Sequence, residues 1–352
     1  MKNDGESTLI PSSLVTRSKV LRAPFVSSAS TATPKSRDVA TIASGTDDKG
    51  DNTIAIFEHE EREYLEILLL DLPQSLRLRQ YNTSHDSWGI YSTVWDGGIA
   101  LLKYVCDQYS DVWDQMRLLD LGSGTGIVGL GVAACSRGTV ATAVTDLTAA
   151  LPLLRENIAR NASHWTGVDA GVHRPSVLDI TWGKRMENND WLQQFLSIND
   201  RKKDTTICAG SPPPTSICSN SRRKLQRRVI ITGADIVYRP SLFEPLLSTL
   251  AELESRVHQV LKGQDPVIEV LLSCQSCRSY LDDFWQAARR RGFNAELLAI
   301  ADLDPADKHN LESCLLYPAE DRTIPVSKQK YPTKEGRVFI VRIYRLPYTF
   351  AI

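Results

Sequence analysis

The sequence of 352 residues predicts an α/β fold in which seven strands form a mostly parallel sheet with helices on both faces. Short apolar strands alternate with amphipathic helices, a pattern typical of βαβ units whose sheet is covered on both sides. A glycine-rich turn follows the first strand of this series. The last two strands are joined by a long loop in place of a clear helix, so we expect them to pair antiparallel.

The alternating series begins at residue 117 and ends at residue 344. We predict strands, in chain order, at 117–121, 140–145, 172–180, 229–234, 267–273, 295–300 and 337–344. We predict helices at 127–135, 149–161, 242–260 and 280–291. The strands are short apolar runs, whereas the helices carry apolar residues at three- and four-residue spacing.

The chain before this series differs in composition. Residues 1–52 are rich in Ser and Thr and contain a single aromatic residue, Phe25. Such a segment cannot bury enough apolar surface to offset the entropy lost on ordering. We therefore expect a disordered tail over 1–52 and a single domain over 53–352.

A second irregular segment interrupts the series at about 185–228. It contains Ser-Pro-Pro-Pro-Thr at 211–215 and five basic residues between Arg222 and Arg228. Proline runs and clustered charges are typical of loops, so we predict an irregular insertion inside the domain. We interpret its basic cluster as a solvated loop, with a docking surface or nuclear signal as the alternative.

The composition argues against several partners. Lys and Arg number 41 against 42 Asp and Glu, so a net charge of −1 gives no field that favours nucleic acid. No apolar run reaches the roughly 18 residues of a membrane span. Cys274 and Cys277 form a C-x-x-C pair that lacks the further ligands of a zinc site, and we interpret it as a strand end. We expect a monomer without a metal, nucleic-acid or membrane partner.

The seven cysteines have irregular spacing, which suits a reducing compartment. The basic, Ser/Thr-rich N-terminal stretch also fits a mitochondrial presequence. The acidic residues Asp4, Glu6 and Asp38 weigh against that alternative. The expected location is the cytoplasm.

A glycine-rich loop follows the first strand, where segment 120–129 reads Asp-Leu-Gly-Ser-Gly-Thr-Gly-Ile-Val-Gly. Its last six residues form a literal GxGxxG, the pattern of a nicotinamide dinucleotide site. Asp120 at the strand tip would repel the pyrophosphate of such a ligand, whereas it suits the sulfonium and ammonium of S-adenosyl-L-methionine. We therefore predict S-adenosyl-L-methionine as the cofactor, contacted by Asp120, Gly122, Ser123 and Gly124.

Three polar residues follow the second strand. Asp146 ends that strand 26 positions after Asp120, where an acid accepts hydrogen bonds from both ribose hydroxyls of a nucleotide. Asn157 and Asn161 lie one helical turn apart in the next helix. We interpret these two asparagines as a solvated helix face or a helix cap.

Together these motifs resemble the seven-strand protein-lysine N-methyltransferases related to nicotinamide N-methyltransferase, known as methyltransferase family 16, which include the elongation factor 1-alpha lysine methyltransferases. Besides the glycine loop, three segments match in order: Val-Trp-Asp-Gly-Gly at 94–98, Ile-Thr-Trp-Gly at 180–183 and Ala-Asp-Ile-Val-Tyr at 234–238. The resemblance covers roughly 76–346 without the insertion. It implies a class I, Rossmann-like fold and an N-methyltransferase that uses S-adenosyl-L-methionine.

Carried over residue by residue, the resemblance implies that Trp95 contacts the methionine end of the cofactor and that Trp182 stacks near its adenine. It also implies that Ala234 offers backbone atoms beside the cofactor, and that Asp235 and Tyr238 border the acceptor channel. A carboxylate there can hold the acceptor amine by a hydrogen bond, and orientation supplies much of the acceleration. A role for Asp235 as general base is disfavoured, because a nearby cation keeps it a weak base. Without the resemblance, both tryptophans would be predicted as core residues.

Two acceptor classes follow from the resemblance. The first is a protein lysine, with elongation factor 1-alpha or an Hsp70-type chaperone as the substrate kinds that the family suggests. The alternative is a small amine of the nicotinamide type. A small-molecule enzyme should carry a structured lid, and the segment before Trp95 is short, so we find no lid and predict a protein substrate. A silent binding scaffold is a third hypothesis, against which the intact glycine loop and Asp146 argue.

Overall fold

The structure is a computed structural model. It describes residues 63–69, 72, 74–81, 89–165, 173–197, 227–303, 311, 314–320, 322 and 337–345. The described residues fall in one compact unit, Glu60–Ile352. The tail expected over 1–52 lies outside them.

The described residues form ten strands and six α-helices. The strands are β1 (Glu63–Ile67), β2 (Leu76–Gln80), β3 (Met116–Leu121), β4 (Ala141–Asp146), β5 (Ser176–Asp179), β6 (Arg228–Ala234), β7 (Val267–Gln275), β8 (Phe293–Asp302), β9 (Leu315–Pro318) and β10 (Arg337–Arg345). The helices are α1 (Asp96–Tyr109), α2 (Ile127–Cys135), α3 (Leu151–Arg160), α4 (Asp190–Ser197), α5 (Phe243–Val260) and α6 (Leu281–Arg290). No helix in these ranges has the length and apolar character of a membrane span.

The main sheet has eight strands in the order β5-β4-β3-β6-β7-β10-β8-β9. Strands β3 to β7 are parallel to one another. Strand β10 inserts antiparallel between β7 and β8, which confirms the expected antiparallel finish. The predicted count of seven strands is wrong by one, because β9 adds to the free edge of β8. Strand β9, Leu-Leu-Tyr-Pro, is only four residues long and ends at a proline, so its short apolar run does not by itself predict a strand.

Helices cover both faces of this sheet, as the strand–helix alternation predicts. Side chains of α1, α2 and α3 pack in one hydrophobic cluster, and those of α4, α5 and α6 pack in another. Neighbouring strand residues point to opposite clusters: Leu118 of β3 lies in the first and Leu119 in the second. This alternation is the period-two geometry of a strand buried on both faces.

A separate two-stranded hairpin, β1–β2, lies against α3. Its hydrogen bonds with Asn157 and Asn161 correct the interpretation of these two residues. Asn157 is fully buried, accepts a hydrogen bond from Arg79 N at 2.7 Å and donates to the carbonyl oxygens of Arg79 and Thr125 at 3.2 and 2.9 Å. Asn161 accepts from Arg77 N and donates to Arg77 O, both at 2.8 Å. The interpretation of a solvated helix face is wrong, because these amides pair with strand backbone as a neighbouring strand would.

The predicted irregular insertion begins instead with a helix, α4. Its three buried apolar residues have the spacing of one helical face: Leu192, Phe195 and Leu196. These side chains belong to the cluster that contains α5, so burial stabilises a helix where the sequence signals a loop. The rest of the insertion, 198–226, lies outside the described residues.

Two residues of the basic cluster are described, and neither belongs to a solvated loop. Arg228 starts β6 and forms an ion pair with Glu269 of β7. Arg227 donates from Nη1 to Leu196 O at 2.9 Å. These contacts anchor the end of the insertion to the sheet and to α4.

Candidate active site

A cavity of about 280 Å³ opens at the carboxyl ends of β3, β4 and β6. Its lining includes every site residue that the sequence predicts: Trp95, Asp120, Gly122, Ser123, Gly124, Asp146, Trp182, Ala234, Asp235 and Tyr238. Loops that leave the carboxyl ends of parallel strands converge at one edge of a sheet, which explains why distant motifs meet there. Their individual roles stay predictions.

The glycine loop adopts a backbone that few other residues tolerate. Gly122, Gly124 and Gly126 have φ values of 60°, 55° and 88°. A Cβ on Gly124 would lie 2.9 Å from the carbonyl oxygen of Tyr91, and one on Gly122 would lie 2.9 Å from Cζ2 of Trp182. Both the left-handed φ and the close approach therefore require glycine.

Ser123 fastens this loop to the ends of β3 and β4. Its backbone N–H donates to Thr145 O at 2.9 Å, and its hydroxyl donates to Asp120 O at 2.8 Å. The same hydroxyl accepts from Thr145 N at 2.9 Å. Ser123, which the sequence predicts as a cofactor contact, thus holds the glycine loop on the sheet.

Asp120 lies at the floor of the cavity and is almost completely buried, with 1% of its surface exposed. Thr232 donates to Oδ1 at 2.8 Å, and the Gly129 backbone donates to Oδ2 at 3.3 Å. Burial raises the pKa of Asp120 to about 6, although both hydrogen bonds oppose this change. The carboxylate therefore links β3, β6 and α2.

Asp146 lies at the end of β4, where the sequence predicts an acid for ribose binding. Its Oδ2 accepts from Gly124 N at 2.8 Å, and its Oδ1 accepts from Leu147 N at 2.7 Å. Each carboxylate oxygen has a second lone pair that can still accept a ligand hydroxyl. Burial raises the pKa of Asp146, and the two amides oppose the rise.

The segment 89–95 forms one wall of the cavity, with Ile90, Tyr91 and Thr93 beside Trp95. Trp95 donates from its indole nitrogen to Ile90 O at 3.0 Å, so it holds the turn that precedes α1. A 3₁₀ turn in the cavity wall is not a structured lid, so the expected absence of a lid stays a prediction. Local sequence does not indicate this wall, because a single 3₁₀ turn has no periodicity.

Asp235 joins β6, β7 and α1. It has a left-handed φ of 53°, and its backbone N–H donates to Ser273 O at 3.0 Å. Its Oδ2 accepts from Gly97 N at 2.8 Å, while the Ser273 hydroxyl donates to Gly97 O at 2.8 Å. Burial raises the pKa of Asp235 to about 6, against the effects of the Gly97 amide and the nearby Arg278. The side chain is half-buried and reaches the cavity.

Tyr238 and two arginines complete the wall near Asp235. Tyr238 is half-buried, and burial raises the pKa of its phenol. The Arg239 guanidinium lies 5.9 Å from the centroid of the Tyr238 ring, and Arg278 lines the cavity from the loop after β7. Sequence reasoning missed both arginines. Arg239 adjoins a recognised motif, whereas only the strand order brings Arg278 to this site.

Cys274 lies within β7, as its interpretation as a strand end requires, and is buried. No group of three His, Cys, Asp or Glu side chains suited to a metal ion occurs among the described residues. The charged groups that line the cavity are carboxylates and guanidiniums.

Comparison with known proteins agrees with the motifs. Residues 72–195 match the family model described as lysine methyltransferase. Protein N-lysine methyltransferase METTL21A of Xenopus tropicalis is 27% identical over 49% of this chain and 60% of that protein, and its Danio rerio counterpart is 30% identical over 53% and 62%. EEF1A lysine methyltransferase 3 of Mus musculus is 35% identical over 27% of this chain and 36% of that protein. The chain thus spans less than two thirds of the length of these relatives.

The family match extends from just before β2 to α4. It includes Trp95, the glycine loop, Asp146 and Trp182, and it ends before Asp235 and Tyr238. The glycine-loop side of the cavity lies within the matched segment, which confirms the resemblance drawn from the motifs. Residues 72–195 of this chain are thus similar to the lysine methyltransferase family.

Proposed function

We propose that this protein is an S-adenosyl-L-methionine-dependent protein-lysine N-methyltransferase. The observation that carries the proposal is one cavity that joins the glycine loop and Asp146 to Asp235 and Tyr238. Transfer of a group between two bound molecules requires that the cofactor and the acceptor bind side by side in one cavity.

The residues of the cavity fit the proposed cofactor. Gly122 and Gly124 leave open the space that a Cβ would fill, and Asp146 retains lone pairs for ribose hydroxyls. Leu147 is 51% exposed beside Asp146, and the Trp182 ring lies against Gly122, so both offer apolar surface to an adenine. The buried charge of Asp120 favours a cationic ligand over a pyrophosphate. When bound, the cofactor supplies an electrophilic methyl group on a sulfonium.

On the acceptor side, the protein's own residues would position a neutral amine. Gly97 N occupies one lone pair of the Asp235 carboxylate, and lone pairs of that carboxylate remain for an amine N–H. Tyr238 walls the channel beside it. Because an amine attacks only along the line of the breaking S–CH₃ bond, orientation by these two residues is the main contribution that we assign to them.

The names of the relatives support a lysine on a protein as the acceptor. The mouse relative is named for EEF1A, which supports elongation factor 1-alpha as the substrate kind, with an Hsp70-type chaperone as the other kind that the family resemblance suggests. Action as a monomer in the cytoplasm belongs to the same proposal.

The test uses the full chain with methyl-labelled S-adenosyl-L-methionine and a proteome extract. We expect label on a lysine of one or a few proteins, located by mass spectrometry, and none on nicotinamide or other small amines. Gly124→Ala should abolish labelling, because its Cβ would meet the Tyr91 carbonyl. Gly292→Ala is the matched control, since Gly292 has a φ of 79° but no atom within 4 Å of an added Cβ. Label on small amines alone would replace the proposal with its small-molecule alternative.

A further inference from the structure

The acceptor side of the cavity carries two arginines that the proposed reaction does not use. Of the charged side chains on the lining, Asp120 and Asp146 accept hydrogen bonds from the protein on the cofactor side. The remaining three are Asp235, Arg239 and Arg278. Its two guanidiniums and one carboxylate give this second group a net positive charge.

Neither guanidinium forms a hydrogen bond or an ion pair with any residue that the structure describes. Arg239 is exposed and contacts only the Tyr238 ring, with 5.9 Å between guanidinium carbon and ring centroid. Some arginines of the described residues are paired, such as Arg228 with Glu269 and Arg342 with both Glu269 and Glu296. An arginine held at a cavity without a partner is available to an anionic group of a ligand.

The strand order places both arginines on the side away from the cofactor. Asp146 ends β4 and the glycine loop follows β3, whereas Arg239 follows β6 and Arg278 follows β7. In the order β4-β3-β6-β7, the end of β7 lies two strand spacings, about 10 Å, beyond the end of β3. A molecule bound over Tyr238 and Asp235 therefore lies on the same side of the cavity as the two guanidiniums.

A lysine reaches this entrance as a cation, since its ammonium is charged near neutral pH. Two unpaired guanidiniums repel that charge, and the one carboxylate beside them already accepts the Gly97 amide. Carboxylates next to the acceptor lysine in the substrate would remove the repulsion and bind the guanidiniums directly. Once the lysine lies past the rim, the same positive charges favour its neutral, reactive form.

We propose that Arg239 and Arg278 select an acceptor lysine that is flanked by acidic side chains of the substrate protein. This inference rests on the proposed function and adds the substrate class to it. The two arginines are specificity-determining residues, and they take no part in the transfer itself.

The experiment uses the protein that the wild-type chain labels in a proteome extract. Its steady-state methylation is measured with the wild type, Arg239→Glu, Arg278→Glu and the double variant, together with a separate titration of S-adenosyl-L-methionine. Arg174→Glu is the matched control, because Arg174 is exposed and precedes the parallel strand β5, at the edge of the sheet opposite the cavity. We expect KM for the substrate to rise about threefold in each single variant and about tenfold in the double variant, because attraction becomes repulsion at each position. Cofactor affinity and kcat should stay within about twofold.

A reciprocal change completes the test. Replacing the acidic neighbours of the labelled lysine by Lys should raise KM for the wild type and lower it for the double variant. A labelled lysine without acidic neighbours, or an unchanged KM in the double variant, would overturn the inference and leave the proposed function standing. Loss of cofactor affinity without a change in KM would assign the arginines to the cofactor carboxylate and also overturn it. Absence of any labelled protein is the separate result that refutes the proposed function.

Discussion

The carboxylate of Asp235 accepts a hydrogen bond from the backbone N–H of Gly97, with 2.8 Å between Oδ2 and the nitrogen. Gly97 lies in the first turn of α1, where backbone N–H groups have no partner within the helix. Asp235 therefore caps α1 from the end of β6, across 138 positions of sequence. The carboxylate that the family resemblance assigns to the acceptor channel also holds the helix that follows Trp95.

Two substitutions separate these roles of Asp235. Asp235→Ala removes both the cap and the charge, and places alanine at a φ of 53°. We expect it to lower the free energy of unfolding by about 1–3 kcal/mol and turnover by on the order of 10²-fold, with little change in cofactor affinity. Single-turnover transfer, cofactor titration and urea denaturation measure these three quantities.

Asp235→Asn is the matched variant. Its amide oxygen can accept from Gly97, and asparagine tolerates a left-handed φ, so we expect near wild-type stability. Turnover should stay low, because the charge that orients the acceptor amine is gone. Recovery of both stability and turnover would show that Asp235 acts only as a helix cap.

Tyr238→Phe should affect transfer mildly. The ring that walls the cavity survives, and only hydrogen bonds of the hydroxyl are lost, so we expect a fall in turnover of less than about tenfold. The measurement is single-turnover transfer under the conditions used for the Asp235 variants. A loss as large as that of Asp235→Ala would place the hydroxyl in the reaction itself.

The parallel part of the fold was predictable because its strands are buried on both faces and read as continuous apolar runs. The β1–β2 hairpin was missed although Leu76 and Leu78 alternate with Arg77 and Arg79, a signal of one-sided burial that is weaker than an apolar run. Strand β9 has an apolar run of only Leu-Leu-Tyr before a proline, which is too short to predict a strand. Helix α4 has an apolar face, Leu192, Phe195 and Leu196, but it is only eight residues long and depends on packing against another helix for its stability.

The residues of the cavity were predictable where a sequence motif lies at the end of a strand. Asp120, Asp146 and Asp235 each lie at or just beyond the end of a parallel strand, and the geometry of such sheets brings these ends together. Tyr91 and Arg278 come from segments without periodicity or motif. Their positions depend on which strands are neighbours and on how the chain enters α1, and neither can be derived from local residue patterns.

Asp146→Ala tests the cofactor side. We expect S-adenosyl-L-methionine to bind the wild type in the micromolar range, and to bind this variant about 1–3 kcal/mol more weakly, because bonds to the ribose and the support of Gly124 are both lost. Asp179→Ala is the control, since Asp179 pairs with Asp146 in register on β5 but does not line the cavity. Calorimetry measures both variants, and NAD should bind none of them. Unchanged affinity in Asp146→Ala would remove this residue from the cofactor site.

Asn157→Ala tests the link between the hairpin and the glycine loop. The change leaves the backbone groups of Arg79 and the carbonyl of Thr125 without their partner in a buried place, so we expect the free energy of unfolding to fall by about 2–3 kcal/mol. Cofactor affinity should fall too, because Thr125 belongs to the loop. Asn188→Ala, at an exposed position, is the control for denaturation and titration. Equal stability of the two variants would contradict the role of Asn157.

The last prediction concerns Asp120 and pH. Burial raises its pKa from 3.8 to about 6, so the folded protein holds this proton more tightly than the unfolded chain does. Between about pH 4 and pH 6 the folded state binds more protons, and stability contributed by this group must fall as pH rises through that window. Above about pH 6 the cost of the buried charge is fully present, and below about pH 4 it is absent.

Asp120→Asn isolates this effect, because it removes the titrating group while its amide oxygen can still accept from the Thr232 hydroxyl. The wild type should lose on the order of 1–3 kcal/mol of unfolding free energy relative to the variant as pH rises from about 4 to about 6. Groups common to both proteins, such as Asp146 and Asp235, largely cancel in the difference. Urea denaturation at several pH values measures this difference in unfolding free energy. The Gly129 contact that the variant loses adds a constant to the difference, and this constant does not change with pH. If the plots of unfolding free energy against pH were parallel for the two proteins, the Asp120 carboxylate would already be stabilised as an anion. In that case the charge at the cavity floor would cost the fold nothing, and a cationic ligand would have no buried charge to relieve.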